Sequence, residues 1–273
     1  MRRHVSRVLI MVAAAVASSA LFAQEGQGRG GRGPAGPPPA PRVAAPVDFT
    51  GVWVSVVSED WRWRMMRPAK GDYASVPLTP AARTVADAWD PARDEAAGEQ
   101  CRSYAAPAIM RVPGRLRVSW TDDYTLTIQT DAGMQTRSLQ FQRPNSPPVT
   151  TQTTAQRSWQ GVSVARWEPQ PGAITGGGGN FGLGAAAPVT TRSLEVTTTQ
   201  IRPGYLRKNG VPFSEDAVLT EYFDRWRDSS GEWFTVTTIV RDPRYLRQPF
   251  VTTTDFKRET SDGKWDPTPC QSR

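Results

Sequence analysis

The sequence predicts an all-β fold, a mainly antiparallel barrel of about 8–10 strands with one inserted helical segment. Three observations carry that prediction. Runs with alternating apolar and polar residues recur between positions 49 and 259. Threonine, valine and aromatic residues fill those runs, as a pleated, half-buried surface favours. Turns bearing Asp and Gly separate them. Closing so many strands into a ring removes exposed edges, whereas a two-sheet sandwich, the alternative, does so less completely.

Residues 1–23 read as a signal peptide: Arg2, Arg3 and Arg7 precede an apolar run from Val8 to Phe22, with small residues near a cleavage after Ala23. The run is short for a spanning helix, so no stable membrane anchor is expected after cleavage. Residues 24–47 are dominated by Gly, Pro, Ala and Arg without periodicity and read as a disordered linker. The remainder, 48–273, is one barrel domain.

Its first strand is "FTGVWVSVV" (49–57), with Phe49, Gly51, Trp53, Ser55 and Val57 on one face. "EDWRWRMMRPAKGDY" (59–73) follows; if extended, it sets Trp61 and Trp63 opposite Arg62 and Arg64. Residues 78–98 form the helical segment, with Thr79 as N-cap, Pro80 at the first helical position and a break at Asp90-Pro91. Val85 and Trp89, four apart, supply its packing face. Residues 115–141 make a three-strand meander, and 158–168 another strand. The Gly/Ala/Pro insertion 169–188 reads as a mobile loop. Strands at 192–201, 217–227, 232–242 and 249–259 complete the set, and 201–216 is a long connection. Cys101 and Cys270 are the only cysteines, and in an exported chain they form one disulfide.

The opening "DFTGVW" (48–53) resembles the Gly-x-Trp opening of lipocalins and their calycin relatives. The resemblance implies a tryptophan closing the barrel floor beneath an arginine, here Trp53 after Gly51, with Arg241 or Arg258 above it. Asp48 stands where the usual form carries asparagine, and the 59–73 segment departs from the usual lid. As a whole the chain is similar to uncharacterised secreted proteins of environmental Gram-negative bacteria, which implies compartment and fold but no activity.

Charge excludes one large function class. The chain holds 33 Lys+Arg against 26 Asp+Glu, but residues 1–47 contain six of the arginines and one acid, leaving 27 against 25. A nearly balanced domain lacks the basic footprint of a nucleic-acid binder, so no nucleic acid is expected. His4 is the sole histidine and leaves with the signal. Histidine-dependent nucleophile systems and histidine-ligated metals are thereby excluded, and no metal or cofactor is expected. Gly177-x-Gly179-x-x-Gly182 matches the dinucleotide fingerprint in letters only, because no strand precedes it and no helix follows.

The adjacent acids Glu59-Asp60, Asp94-Glu95, Asp122-Asp123 and Glu215-Asp216 read as surface features or caps. Glu195 and Glu221 lie inside β-rich runs; Glu221 alternates with Leu219 and Phe223, so it is either a paired structural carboxylate or a general acid/base. Arg111 and Arg202 read either as a clamp on a carboxylate or phosphate or as rim charges, and Tyr205 lies on the same connection as Arg202. The leading expectation is a periplasmic or secreted protein that binds a small apolar or amphipathic molecule inside its barrel. Trp53, Trp61, Trp63 and Tyr222 would line the ligand, with Glu221 and Arg202 orienting it. The alternatives are a cofactor-free proton-transfer enzyme (isomerase, dehydratase or lyase) using Glu221 or Glu195 with a tyrosine, and a structural envelope module with a filled barrel.

Overall fold

In the computed structural model, which describes residues 38–148, 156–168 and 193–272, the first strand β1 (Gly51–Val56) is hydrogen-bonded on both sides. Its neighbours are β2 (Arg115–Asp122) and β11 (Phe250–Glu259), so the sheet closes on itself. From β2 the ring continues through β3 (Thr125–Thr130), β4 (Thr136–Phe141), β5 (Val162–Trp167) and β6 (Ser193–Thr199). It then passes through β9 (Val218–Asp228) and β10 (Gly231–Arg241) to β11. Every pairing is antiparallel except β4 with β5. The nine strands fall within the range expected from the alternation, and the sandwich alternative is not what forms. The expected signal peptide, the linker up to residue 37 and the 169–188 insertion lie outside the described residues.

Inward positions alternate as the sequence requires. Leu116 and Val118, Leu126 and Ile128, Leu194 and Val196, Phe234 and Val236 all point into the lumen and are buried. Aromatic rings fill the end where β1 begins: the Trp53 and Phe234 ring centres are 4.8 Å apart, as are those of Phe234 and Phe256. Trp53 is fully buried and donates its indole N–H to the Phe49 carbonyl at 2.8 Å. Of the two arginines named for this end, Arg258 lies over the Trp53 ring, its guanidinium carbon 5.5 Å from the centre, while Arg241 is exposed. Gly51 makes that approach possible. Its φ is +124°, and a Cβ there would sit 3.2 Å from the Arg258 guanidinium. Residues before Asp48 also take part in this end: Trp167 donates to the Pro41 carbonyl at 2.9 Å, and Val47 is buried.

The opposite end is covered by two chain segments. The first carries a single turn α1 (Trp61–Arg64), then α2 (Pro80–Asp87), α3 (Pro91–Ala96), a 3-10 turn at Gln100–Tyr104, and α4 (Ala106–Ile109). The second is a hairpin of β7 (Gly204–Arg207) and β8 (Val211–Phe213). Thr79 caps α2 by accepting from the Ala82 amide at 3.2 Å, and the helices part at Asp90-Pro91 as expected.

Three expectations are corrected here. The packing face of α2 is Ala82 and Ala86, both fully buried, while Val85 is exposed. The helix lies on the β8 hairpin through these two small side chains. The 59–73 segment is not extended. Asp60 adopts a left-handed conformation (φ 55°), and the chain turns into α1 behind it, so tryptophans and arginines do not segregate to two faces. Finally, 201–216 is not a bare connection; Asn209-Gly210, a favoured hairpin dipeptide, folds it into β7 and β8.

Cys101 and Cys270 are bonded, with Cα atoms 5.1 Å apart across 169 residues of sequence. The bridge ties the C-terminal tail to the helical segment and suits an oxidising compartment.

Trp53→Ala should lower unfolding free energy by about 3–5 kcal/mol, since the cavity sits among rings that cannot collapse into it. Trp61→Ala should change it by less than about 0.5 kcal/mol, being at an exposed site. Urea titration of both variants checks the contrast, and a Trp53→Ala midpoint equal to the parent's would refute it.

Candidate functional site: an arginine pocket at the covered end

Three arginines meet where β1 leaves the barrel and β2 and β11 enter it. Arg64 ends α1, Arg111 follows α4, and Arg207 ends β7. All three are buried, and they line one pocket of about 30 Å³ together with Trp63, Ser103, Ala108, Val112, Pro113, Leu206 and Lys208. That volume admits on the order of two water-sized groups.

Local structure explains how each guanidinium is held. Asp60, turned left-handed, starts α1, and Arg64 then reaches back to Glu59 at 2.6 Å and to the Arg111 carbonyl at 3.1 Å. Arg111 donates to Asp60 at 2.8 Å. The Glu59-Asp60 pair is therefore not a solvated surface feature, as its adjacency suggested, but the counter-charge of this pocket. Arg207 is placed by its hairpin, whose Asn209 amide donates to the Ala69 and Asp72 carbonyls at 3.0 and 2.9 Å. Its guanidinium donates to the Ala74 carbonyl at 2.7 Å and stacks 4.5 Å from the Trp63 ring centre. Lys208 adds a fourth cation, donating to the Tyr104 hydroxyl at 2.8 Å.

The accounting of charge is incomplete in a specific way. Arg64 Nη2, Arg111 Nη1 and Arg207 Nε are buried N–H groups with no acceptor among the described residues. Arg207 also has no carboxylate at salt-bridge distance among them. Burial, with the nearby Arg111 charge adding to it, pulls the Arg207 guanidinium down to about 10 from its ordinary 12.5. Burial also lowers Arg64, against the opposing pull of Glu59. A buried cation without a partner costs folding free energy, and three guanidiniums lining one pocket, each with a donor to spare, form a residue set suited to an oxyanion. Of the residues singled out from sequence, Arg111 and Trp63 belong here. Arg64, Arg207 and Lys208 do not announce themselves in sequence, although the Asn-Gly hairpin signal would have placed Arg207 beside a turn.

The other candidates lie elsewhere. Trp53 and Glu221 face the lumen and are wholly enclosed by protein. Both Glu221 oxygens accept from Arg137, at 2.6 and 3.0 Å, and Thr198 lies 3.4 Å from the same guanidinium. Of the two roles left open for Glu221, its geometry is that of the paired carboxylate. Glu195 points outward from the barrel, bonded to Arg166 at 2.6 Å, with Tyr222 opposite it on β9. Trp61 is 58% exposed. Arg202 and Tyr205 do not join Arg111. Arg202 pairs with Glu99 at 2.7 Å and lies over Trp159. Tyr205 donates to Asp94 at 2.8 Å and accepts from Arg102 at 3.1 Å. Burial pushes the Tyr205 hydroxyl up to about 12, so it is a neutral donor at ordinary pH. Asp94, read as a surface acid, is buried by these partners.

No family model, curated protein or solved structure matches the chain.

The Arg137–Glu221 pair makes a sharp stability prediction. Removing one member strands the other charge in the lumen, so Glu221→Gln should cost about 3–5 kcal/mol. The double replacement Arg137→Met/Glu221→Leu should restore most of that loss. Chemical denaturation of all three variants measures the coupling; additive losses would contradict it.

Proposed function

We propose that this protein is an exported binding protein whose filled barrel serves as a scaffold, and that its ligand is a small amphipathic organic acid. The acid's anionic group would seat among Arg64, Arg111 and Arg207. The observation that carries this reading is that three buried arginines line one pocket, each with an N–H lacking an acceptor among the described residues, and that Arg207 has no carboxylate partner there. Apolar lining from Trp63, Ala108, Val112 and Leu206 supports an organic rather than purely inorganic anion. The lumen offers less: aromatic rings in mutual contact fill one end, and the inward carboxylate is already paired. A proton-transfer enzyme needs a carboxylate free to exchange its proton, and neither Glu221 nor Glu195 is free of an arginine. The signal-like leader and the Cys101–Cys270 bridge support export.

Calorimetric titration of the mature chain with butanoate and with inorganic phosphate tests the reading. Butanoate should bind, and Arg207→Gln should weaken it by about tenfold or more. The same variant should leave the melting temperature equal or higher, because the charge it removes is uncompensated in the free protein. A large loss of stability with no binding in the parent would make Arg207 a structural residue and end the proposal.

The pH dependence has a definite sign. The folded value of Arg207, about 10, lies below its ordinary 12.5, so its charge costs stability at every pH below about 10. That cost is relieved as pH rises from 10 toward 12.5. Binding should run the other way, constant from about pH 6 to 9 and falling as pH passes about 10. Flat affinity to pH 11 would remove Arg207 from the site.

A further inference from the structure

The segment that walls the arginine pocket turns a different face to solvent. Trp61, Met65 and Met66 are 58, 61 and 57% exposed, three large apolar side chains within six residues. Elsewhere among the described residues, exposed large apolar side chains stand singly, at Val43, Val85, Met134, Trp226 and Val251. A concentration of this kind marks an interaction surface.

Its electrostatics are one-sided. Arg62, Arg67 and Lys70 are exposed on the same stretch. Glu59 and Asp60, the acids nearest to them in sequence, are half-buried and engaged by Arg64 and Arg111. Asp72 holds Arg62 at 2.8 Å, and Lys70 donates to the Trp89 carbonyl, while Arg67 has no ion pair among the described residues. The three side chains stand on one helical turn and the two residues after it, an exposed cluster that suits a broad surface better than an inserted small molecule or peptide. Tryptophan and flexible apolar chains set among arginine and lysine are what an anionic lipid surface accepts: the apolar groups enter the headgroup layer and the cations meet phosphates.

We propose that Trp61–Lys70 docks the protein reversibly on an anionic lipid bilayer. Three inserted side chains give far weaker attachment than a spanning helix, so this is peripheral association. It stands on surface residues and does not depend on what fills the arginine pocket.

The test is co-sedimentation of the mature chain with vesicles of phosphatidylethanolamine and phosphatidylglycerol, and with vesicles of phosphatidylcholine alone. Binding is expected to the anionic vesicles and to weaken as salt rises. Trp61→Ser/Met65→Ser/Met66→Ser should abolish it, and Arg67→Glu should lower it by about tenfold. All four positions are exposed, and an unchanged melting temperature in these variants separates lost docking from lost folding. Arg207→Gln distinguishes the two proposals, because it should weaken butanoate binding and leave vesicle binding intact. Parent and triple variant sedimenting equally would overturn the assignment. Absence of vesicle binding at every composition would also overturn it and give the patch to a protein partner.

Discussion

Closure of the barrel rests on one short strand and on one side chain within it. β1 is hydrogen-bonded to both β2 and β11, so without it the ring is an open sheet with two edges. Trp53 is the only residue of β1 that is buried. It meets the lumen rings through Phe234, its N–H is satisfied by Phe49, and Arg225 and Arg258 lie over its ring. Those arginines in turn converge on Glu232, whose carboxyl they and Arg227 hold down to about 2, with the Arg227 hydrogen bond foremost. Packing and charge at this end therefore serve one purpose, which is to fix the strand that closes the ring.

Buried arginines are paired with carboxylates in the lumen but not fully at the covered end, and that difference marks the candidate site. Inside the lumen, both oxygens of Glu221 accept from Arg137, so neither charge is stranded, although Arg137 Nε has no acceptor among the described residues. At the covered end, Glu59 and Asp60 hold Arg64 and Arg111, but Arg207 has no carboxylate at salt-bridge distance among the described residues, only a backbone carbonyl and a hydroxyl. A fold optimised for stability alone would replace Arg207 with an apolar residue against Trp63 and Phe250. In the proposed function an anion completes the set.

The same segment links pocket and surface. Residues 59–73 send Glu59, Asp60 and Arg64 inward and Trp61, Met65 and Met66 outward, all by means of one left-handed residue and one helical turn. A strand could not do this, because its two faces alternate and both would lie on the barrel wall. The turn lets a short sequence present cations to a pocket and apolar groups to solvent at the same time.

By itself the sequence determined the barrel. Period-two runs, threonine-rich strands and turn dipeptides are local signals, and they were legible at 115–141, 217–227, 232–242 and 249–259 because strand formation on a half-buried sheet depends on neighbours in the chain. Thr79, Pro80 and the Asp90-Pro91 break were legible for the same reason, since caps and proline act within one turn. The tertiary structure alone decided the site. Arg64, Arg111 and Arg207 come from three segments far apart in sequence, and no local pattern states that they share a pocket. Period-two alternation likewise misread "EDWRWRM", because the ion pairs that pull Arg64 and Glu59 inward exist only once Arg111 and its neighbours are in place. Alternation marks which side of a strand is apolar; only closure of the chain fixes which charges are left facing one another and which remain unpaired.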